Sequence, residues 1–226
     1  MSADGDGADG ESGDGESAGG AADNGRARRG VLLVLAGTSG AGKGTIGARL
    51  RAADPALHWS VSWTTRTQRA GEQEGVDYHF VARDEFERLR DAGGFLEWFD
   101  VYGDLKGTPM QFVADELEAG HDVMVEVDVQ GALAVKRVLP EALLVFVRAP
   151  SREEQRRRLE ARGSETEESI GRRLARAEAE ERTGADAFDA VVVNDDVERA
   201  TREVAAILRT RRDRGRPPHG DPPQGD

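Results

Sequence analysis

The chain has 226 residues, a third of them charged, with a net charge of −12 and no cysteine. That length can bury a real core, and the missing thiols exclude disulfides, thiolate nucleophiles and Cys-ligated zinc, fitting a reducing cytoplasm. Apolar runs such as Val31–Ala36 fall far below the ~18 residues of a membrane span, so no membrane partner is expected.

Residues 1–29 read as a disordered tail. Residues 1–25 hold seven Asp or Glu, eight Gly and no Lys or Arg, too little apolar surface to offset the entropy of ordering. The segment lacks a basic start and an apolar stretch, so it does not read as a secretory signal.

Val31–Ala36 follows, an unbroken apolar run that predicts a strand buried on both faces of a parallel sheet. Directly after it stands Gly37-Thr38-Ser39-Gly40-Ala41-Gly42-Lys43, which fits the phosphate-loop pattern G-x-x-x-x-G-K. Glycines let backbone N–H groups approach a phosphate closely, and a helix beginning near Lys43 adds its positive end. The lysine supports this reading, because the chain has only three lysines among 31 basic residues. Gly44 occupies the position where Ser or Thr would offer a hydroxyl to Mg²⁺, and the hydroxyl falls one residue later, on Thr45.

A strand is expected near 59–62, then an excursion over 61–112 with a small sheet of its own. Within it Arg66 and Arg69 lie three apart and precede Tyr78, a set able to fork a phosphate other than that of ATP. Glu97 stands among Phe95, Leu96, Trp98 and Phe99; a carboxylate so placed requires a polar partner. Strands are expected again near 123–128, 143–148 and 190–193. Between the last two, residues 152–182 carry nine Arg and nine Glu, interleaved as on solvated helices braced by i,i+4 pairs, so nucleic acid is not an expected partner. Ser151 with Glu154, and Ser164 with Glu167, read as helix starts, with Gly163 as a hinge. The histidines at 58, 79, 121 and 219 show no pair at ligand spacing, which argues against a histidine metal cage. Residues 211–226, rich in proline, read as a second disordered tail.

From about Gly30 to Leu208 the sequence resembles the guanylate kinase family. The matching stretches are GTSGAGKGT, SWTTRTQRAGE, GVDYHF, FLEW, EVDVQGA, RLEARGSETEESIGRRL and VVVND. The resemblance implies an α/β fold: a P-loop parallel sheet core (30–60, 113–150, 184–210), an inserted GMP-binding subdomain (61–112) and a helical lid (151–183). It implies transfer of the γ-phosphoryl of ATP to GMP, and to dGMP, with Mg²⁺, in a cytoplasmic monomer or small homo-oligomer. Ser62, Glu97, Thr108 and Asp128 would face guanine, and Arg66, Arg69 and Tyr78 would hold the GMP phosphate. Lys43 and the backbone of 38–45 would hold ATP phosphates, with Asn194 at the adenine end. Arg158, Arg162 and Arg173 would close over the transferring group. Lys106 departs from the family, which has a tyrosine there, and is read as a replacement phosphate ligand. Two rival readings remain: a kinase of another phosphate acceptor, and a non-catalytic module that binds proteins.

Overall fold

The computed structural model describes residues 28–101, 103–161, 167–184 and 187–214. The expectations for the far ends of both tails, for Arg162 and Gly163, and for the Ser164 cap lie outside these residues.

Five parallel strands form the core sheet, in the order β2-β7-β1-β8-β9. They are β1 (Leu32–Gly37), β2 (Leu57–Trp59), β7 (Asp122–Val127), β8 (Leu143–Arg148) and β9 (Ala190–Val193). Strand β1 is central, paired with β7 on one side and β8 on the other. Its apolar run is divided by the two-residue period of a strand. Leu33 and Leu35 pack on Ile46 and Leu50 of α1 (Lys43–Ala53) and on Val204 and Leu208 of α7 (Val197–Arg214). Leu32, Val34 and Ala36 pack on the opposite face, against Val113 and Leu117 of α3 (Met110–Glu118) and Ala132 and Val135 of α4 (Val129–Val138). Both faces are covered, which is why no polar residue interrupts the run.

The expected strand near 59–62 lies earlier, at β2. Its pairing with β7 covers Leu57–Trp59, after which Ser60 makes one more backbone bond to Met124 and the chain turns out of the sheet. Residues Trp63–Thr64 already belong to a second sheet of order β4-β3-β6-β5. There β3 (Trp63–Thr64), β4 (His79–Phe80), β5 (Phe95–Val101) and β6 (Asp104–Pro109) pack with α2 (Arg83–Asp91) around Phe86, Phe95 and Leu105. The Phe86 and Phe95 rings stack with centroids 4.3 Å apart.

Helices α5 (Arg152–Glu160) and α6 (Glu167–Gly184) follow β8. Ser151 caps α5 as expected, its hydroxyl accepting from the Glu154 amide at 3.2 Å, and Arg156 pairs with Glu160 four residues on.

Two further expectations change. The C-terminal tail was expected to begin at 211, yet α7 continues to Arg214. Arg212 bridges Asp54 (2.8 Å) and the buried Asp122, and Arg28, expected in the N-terminal tail, reaches Asp122 from the other side at 2.8 Å. These ion pairs extend the folded body at both ends. The histidines also do not all stand apart: His58 and His121 both meet Glu116, because β2 pairs beside β7 and brings positions 58 and 121 together.

Candidate active site

The phosphate loop joins the carboxyl end of β1 to α1, where ligands of open α/β sheets bind. Gly42 caps α1 with φ 91° and ψ 21°, a conformation that L side chains rarely adopt. A Cβ there would also stand 2.2 Å from the Asn194 amide nitrogen. Lys43 turns back onto the loop, its Nζ donating to the carbonyls of Gly37 (2.8 Å) and Thr38 (3.2 Å). Gly44 and Thr45 face solvent in the first turn of α1.

Helices α5 and α6, expected to form the lid, meet the loop. Arg173 donates to the Ser39 hydroxyl at 3.0 Å. Arg158 is held by Glu154 (2.7 Å) and donates to the carbonyls of Asn194 (2.9 Å) and Ala41 (3.4 Å). Asn194, expected at the adenine end of the site, is buried against the loop, donating to the Ala41 carbonyl at 2.8 Å.

Sequence reasoning missed Gln155. It is 3 % exposed and donates to the Thr38 hydroxyl (2.9 Å) and the Ser39 carbonyl (2.7 Å), latching α5 to the loop. A signal existed, since Gln155 is a neutral residue in a charged run and shares a helix face with Leu159. Glu126 was missed too. It is the one charged residue within the apolar part of β7, pairs in register with Leu35, and lies 3.5 Å from where a Cβ on Gly44 would stand.

The residues expected on the acceptor side lie on the second sheet and at the start of α4. Glu97 on β5 faces Thr108 on β6 across the antiparallel ladder. Both are buried, and the Thr108 hydroxyl donates to Glu97 Oε1 at 2.6 Å. Burial raises the Glu97 pKa; the Thr108 hydrogen bond and the Lys106 charge oppose that rise, and nearby Asp128 adds to it. Asp128 caps α4, accepting from the Gly131 amide at 2.8 Å. A Cβ on Gly131 would lie 3.4 Å from both Asp128 Oδ1 and Glu97 Oε2, so these two carboxylates share one small space. Ser62 lies between β2 and β3, with its carbonyl accepting from the His79 amide at 2.9 Å.

Next to this pair stands a cationic cluster. The Lys106 ammonium lies 3.2 Å from the Tyr78 hydroxyl and 4.9 Å from its ring centroid. Burial works against that charge, but the Tyr78 oxygen and the carboxylates of Glu97 and Glu126 outweigh it and keep the lysine pKa above its ordinary value. Arg66 lies over the Tyr78 and Phe80 rings at 5.4 and 5.7 Å. Its end-on fork is taken by Glu72, another residue not foreseen, at 3.0 and 2.8 Å, and its remaining Nη1 hydrogen by the Thr67 carbonyl. Among the described residues no partner takes the Nε–H and outer Nη2–H edge, a second fork that matches a phosphate. Glu72 also accepts from the Arg69 amide at 2.8 Å, and the Arg66 hydrogen bond, followed by that amide, holds its carboxyl below the usual range. The Arg69 side chain is exposed.

The structure thus gathers Lys43, Thr38, Ser39, Arg158 and Arg173 at the loop. It gathers Glu97, Thr108, Asp128, Lys106, Tyr78 and Arg66 at a second centre, and Glu126 stands beside Gly44 with its charge acting on Lys106. An apolar hollow of about 770 Å³, lined by Trp59, Trp63 and Phe112 among others, opens elsewhere and includes none of these side chains.

The profile of the guanylate kinase family matches residues 29–211. A guanylate kinase of Rubrobacter xylanophilus is 51 % identical over 182 residues, 80 % of this chain and 95 % of its own. One from Nitratidesulfovibrio vulgaris is 50 % identical over 181 residues, covering 80 % and 87 %. The crystal structure of guanylate kinase from Anaplasma phagocytophilum superposes with a TM-score of 0.66 at 33 % identity, covering 81 % of this chain and 86 % of that one.

Proposed function

The chain belongs to the guanylate kinase family, and from that membership and the site's geometry we infer how its residues transfer the γ-phosphoryl group of ATP to GMP, giving ADP and GDP. The observation that carries the assignment of roles is the buried Glu97–Thr108 pair. Guanine offers N1–H and N2–H₂ on one edge, and a carboxylate accepts from both at once. Adenine lacks that pair of donors, so binding it would strand a desolvated acid, a difference worth ~10⁴ or more in selectivity. Asp128 and Ser62 complete the contacts to the base. The GMP phosphate is met by the free fork of Arg66, by Arg69, by Tyr78 and by Lys106. All of these read base or phosphate, so dGMP serves as an acceptor as well.

On the donor side, the amides of residues 38–45 receive the ATP phosphates. Lys43 exchanges its two loop carbonyls for phosphate oxygens, a stronger charge-assisted contact. Arg158 and Arg173, joined by Arg162, neutralise the charge that spreads over the equatorial oxygens during transfer. Lid closure excludes the water that would otherwise hydrolyse ATP.

Family membership implies Mg²⁺, and the oxygen donors present suit a hard cation. The Glu126 carboxylate stands beside Gly44, and the Thr45 hydroxyl is exposed in the same helical turn. These two, with the ATP phosphates, would hold the ion, which would neutralise phosphate charge during transfer. Among the described residues, no helix is long and apolar enough to cross a membrane.

The test is ADP release measured with GMP, dGMP, AMP, CMP, UMP and ribose phosphates in turn. GMP and dGMP should be turned over and the others rejected. Equal rates with AMP would overturn the role given to Glu97. Preference for a ribose phosphate would favour the rival kinase, and inactivity with every acceptor would favour a binding module.

A further inference from the structure

We propose that His58, Glu116 and His121 form a binding site for a divalent transition-metal ion of the zinc class, remote from the phosphate loop. The Nδ1 atoms of both imidazoles point at one oxygen, Glu116 Oε2, at 2.7 and 2.6 Å. The two rings lie 4.6 Å apart between centroids, and all three ligand atoms fall within 4.8 Å of one another. Two imidazoles and a carboxylate are a donor set that zinc accepts, with water as the fourth ligand.

The convergence is built by the backbone. Helix α3 ends in a Schellman turn: the Gly120 amide donates to the Leu117 carbonyl at 3.2 Å and the His121 amide to the Glu116 carbonyl at 2.9 Å. Gly120 adopts φ 87° to make this turn, which folds His121 back over Glu116. His58 arrives from the neighbouring strand, where β2 pairs it with Val123, two residues beyond His121. Three segments therefore fix the three ligands.

As the side chains stand, each Nδ1 is at hydrogen-bond distance from the shared oxygen, so a proton lies in each gap. A tetrahedral ion with bonds of about 2.0–2.1 Å holds its ligand atoms roughly 3.3 Å apart, so each of the two nitrogen–oxygen pairs must open by about 0.6–0.7 Å as the ion displaces the protons. The side chains are 33 %, 24 % and 51 % exposed in chain order, which gives them freedom to rotate and the ion a path from solvent. Val123 also pairs with Leu32 at the amino end of β1, whereas the phosphate loop begins at that strand's carboxyl end. The ion therefore lies at the opposite edge of the sheet from the nucleotide. It joins β2, the strand from which the chain leaves the core for the second sheet, to α3, the helix by which it returns. Its effect is on the stability of that junction.

The experiment titrates full-length, metal-free and nucleotide-free protein with Zn²⁺ by calorimetry, and with Co²⁺ as a spectroscopic probe. One ion should bind per chain with low-micromolar affinity or better. Cobalt should show the visible band of a four-coordinate ion, and saturating zinc should raise the Tm by about 5 °C. His58→Ala and His121→Asn should each weaken binding at least tenfold and abolish the Tm rise, while melting cooperatively without metal. Absence of binding at micromolar zinc would overturn the proposal. So would affinity unchanged in both variants, which would place the ion elsewhere in the chain.

Discussion

The Thr108 hydroxyl donates to Glu97 Oε1 at 2.6 Å, leaving Glu97 Oε2 beside Gly131. This pairing holds the carboxylate in place without satisfying it. Burial raises its pKa above the unfolded value. Between the two values the folded protein binds the extra proton, so stability falls as pH rises through that window. Ionised Glu97 therefore costs stability at neutral pH. Glu97→Gln should leave the Tm of the free protein unchanged or higher at pH 7.5. The same variant should lower kcat/KM for GMP at least ~10²-fold, because a charge-assisted bond worth about 1.5–3 kcal/mol is lost and its loss strands base donors. A variant that melts lower while keeping its GMP kinetics would contradict both halves.

The acid limb of the pH profile offers a second check on the same carboxylate. Wild-type kcat/KM for GMP should decline as pH falls through a value above the ordinary glutamate range, since protonated Glu97 accepts poorly from guanine. Kinetics across pH 4.5–8 measure this, and a decline confined to ordinary carboxylate pH would refute it.

Lys106 lies 3.2 Å from the hydroxyl of Tyr78, whose ring also carries Arg66 at 5.4 Å. Its charge should make GMP binding salt-sensitive. Lys106→Met should raise KM for GMP about tenfold, the size of one charge-assisted contact. Lys106→Tyr should largely restore it, and both should flatten its dependence on salt. An unchanged KM in the Met variant would leave the phosphate to Arg66, Arg69 and Tyr78.

Gln155 satisfies two phosphate-loop oxygens from α5. Gln155→Leu keeps the bulk and strands Thr38 and Ser39, at a cost of about 1–3 kcal/mol. The expected result is a KM for ATP raised about five- to tenfold with KM for GMP nearly unchanged. Equal increases for both substrates would show that the latch orders the whole molecule rather than the loop.

Arg212 reaches Asp54 and Asp122, and Asp122 is also held by Arg28 and the Val31 amide. Because those contacts remain and Arg212 is partly exposed, Arg212→Ala should cost about 1–2 kcal/mol, less than a fully buried pair. That corresponds to a Tm lowered by roughly 2–8 °C, with kcat unchanged. Truncation after Thr210 should lower the Tm at least as far. A truncated chain that melts with the full-length protein would return residues 211–214 to a dispensable tail.

Sequence alone determined the elements whose cause is local. The run Val31–Ala36 must be a strand covered on both sides, because no polar residue offers a wet face. The glycines after it must wrap something the backbone can approach, and Lys43 indicates that it is anionic. Glu97, surrounded by apolar neighbours, had to meet a polar partner, though its place in the acceptor site came only from resemblance. What the tertiary structure decided depends on pairing across long stretches of chain. Gln155 meets Thr38 across 117 residues, and Arg212 meets Asp54 across 158. The end of α7 was read as tail because its arginines look solvated until those acids face them. His58 and Glu116 are 58 positions apart, so no spacing rule links them. Only the register of β2 on β7 and the turn at Gly120 set both imidazoles on one carboxylate, since hydrogen-bond ladders and chain reversals fix such distances and local periodicity does not.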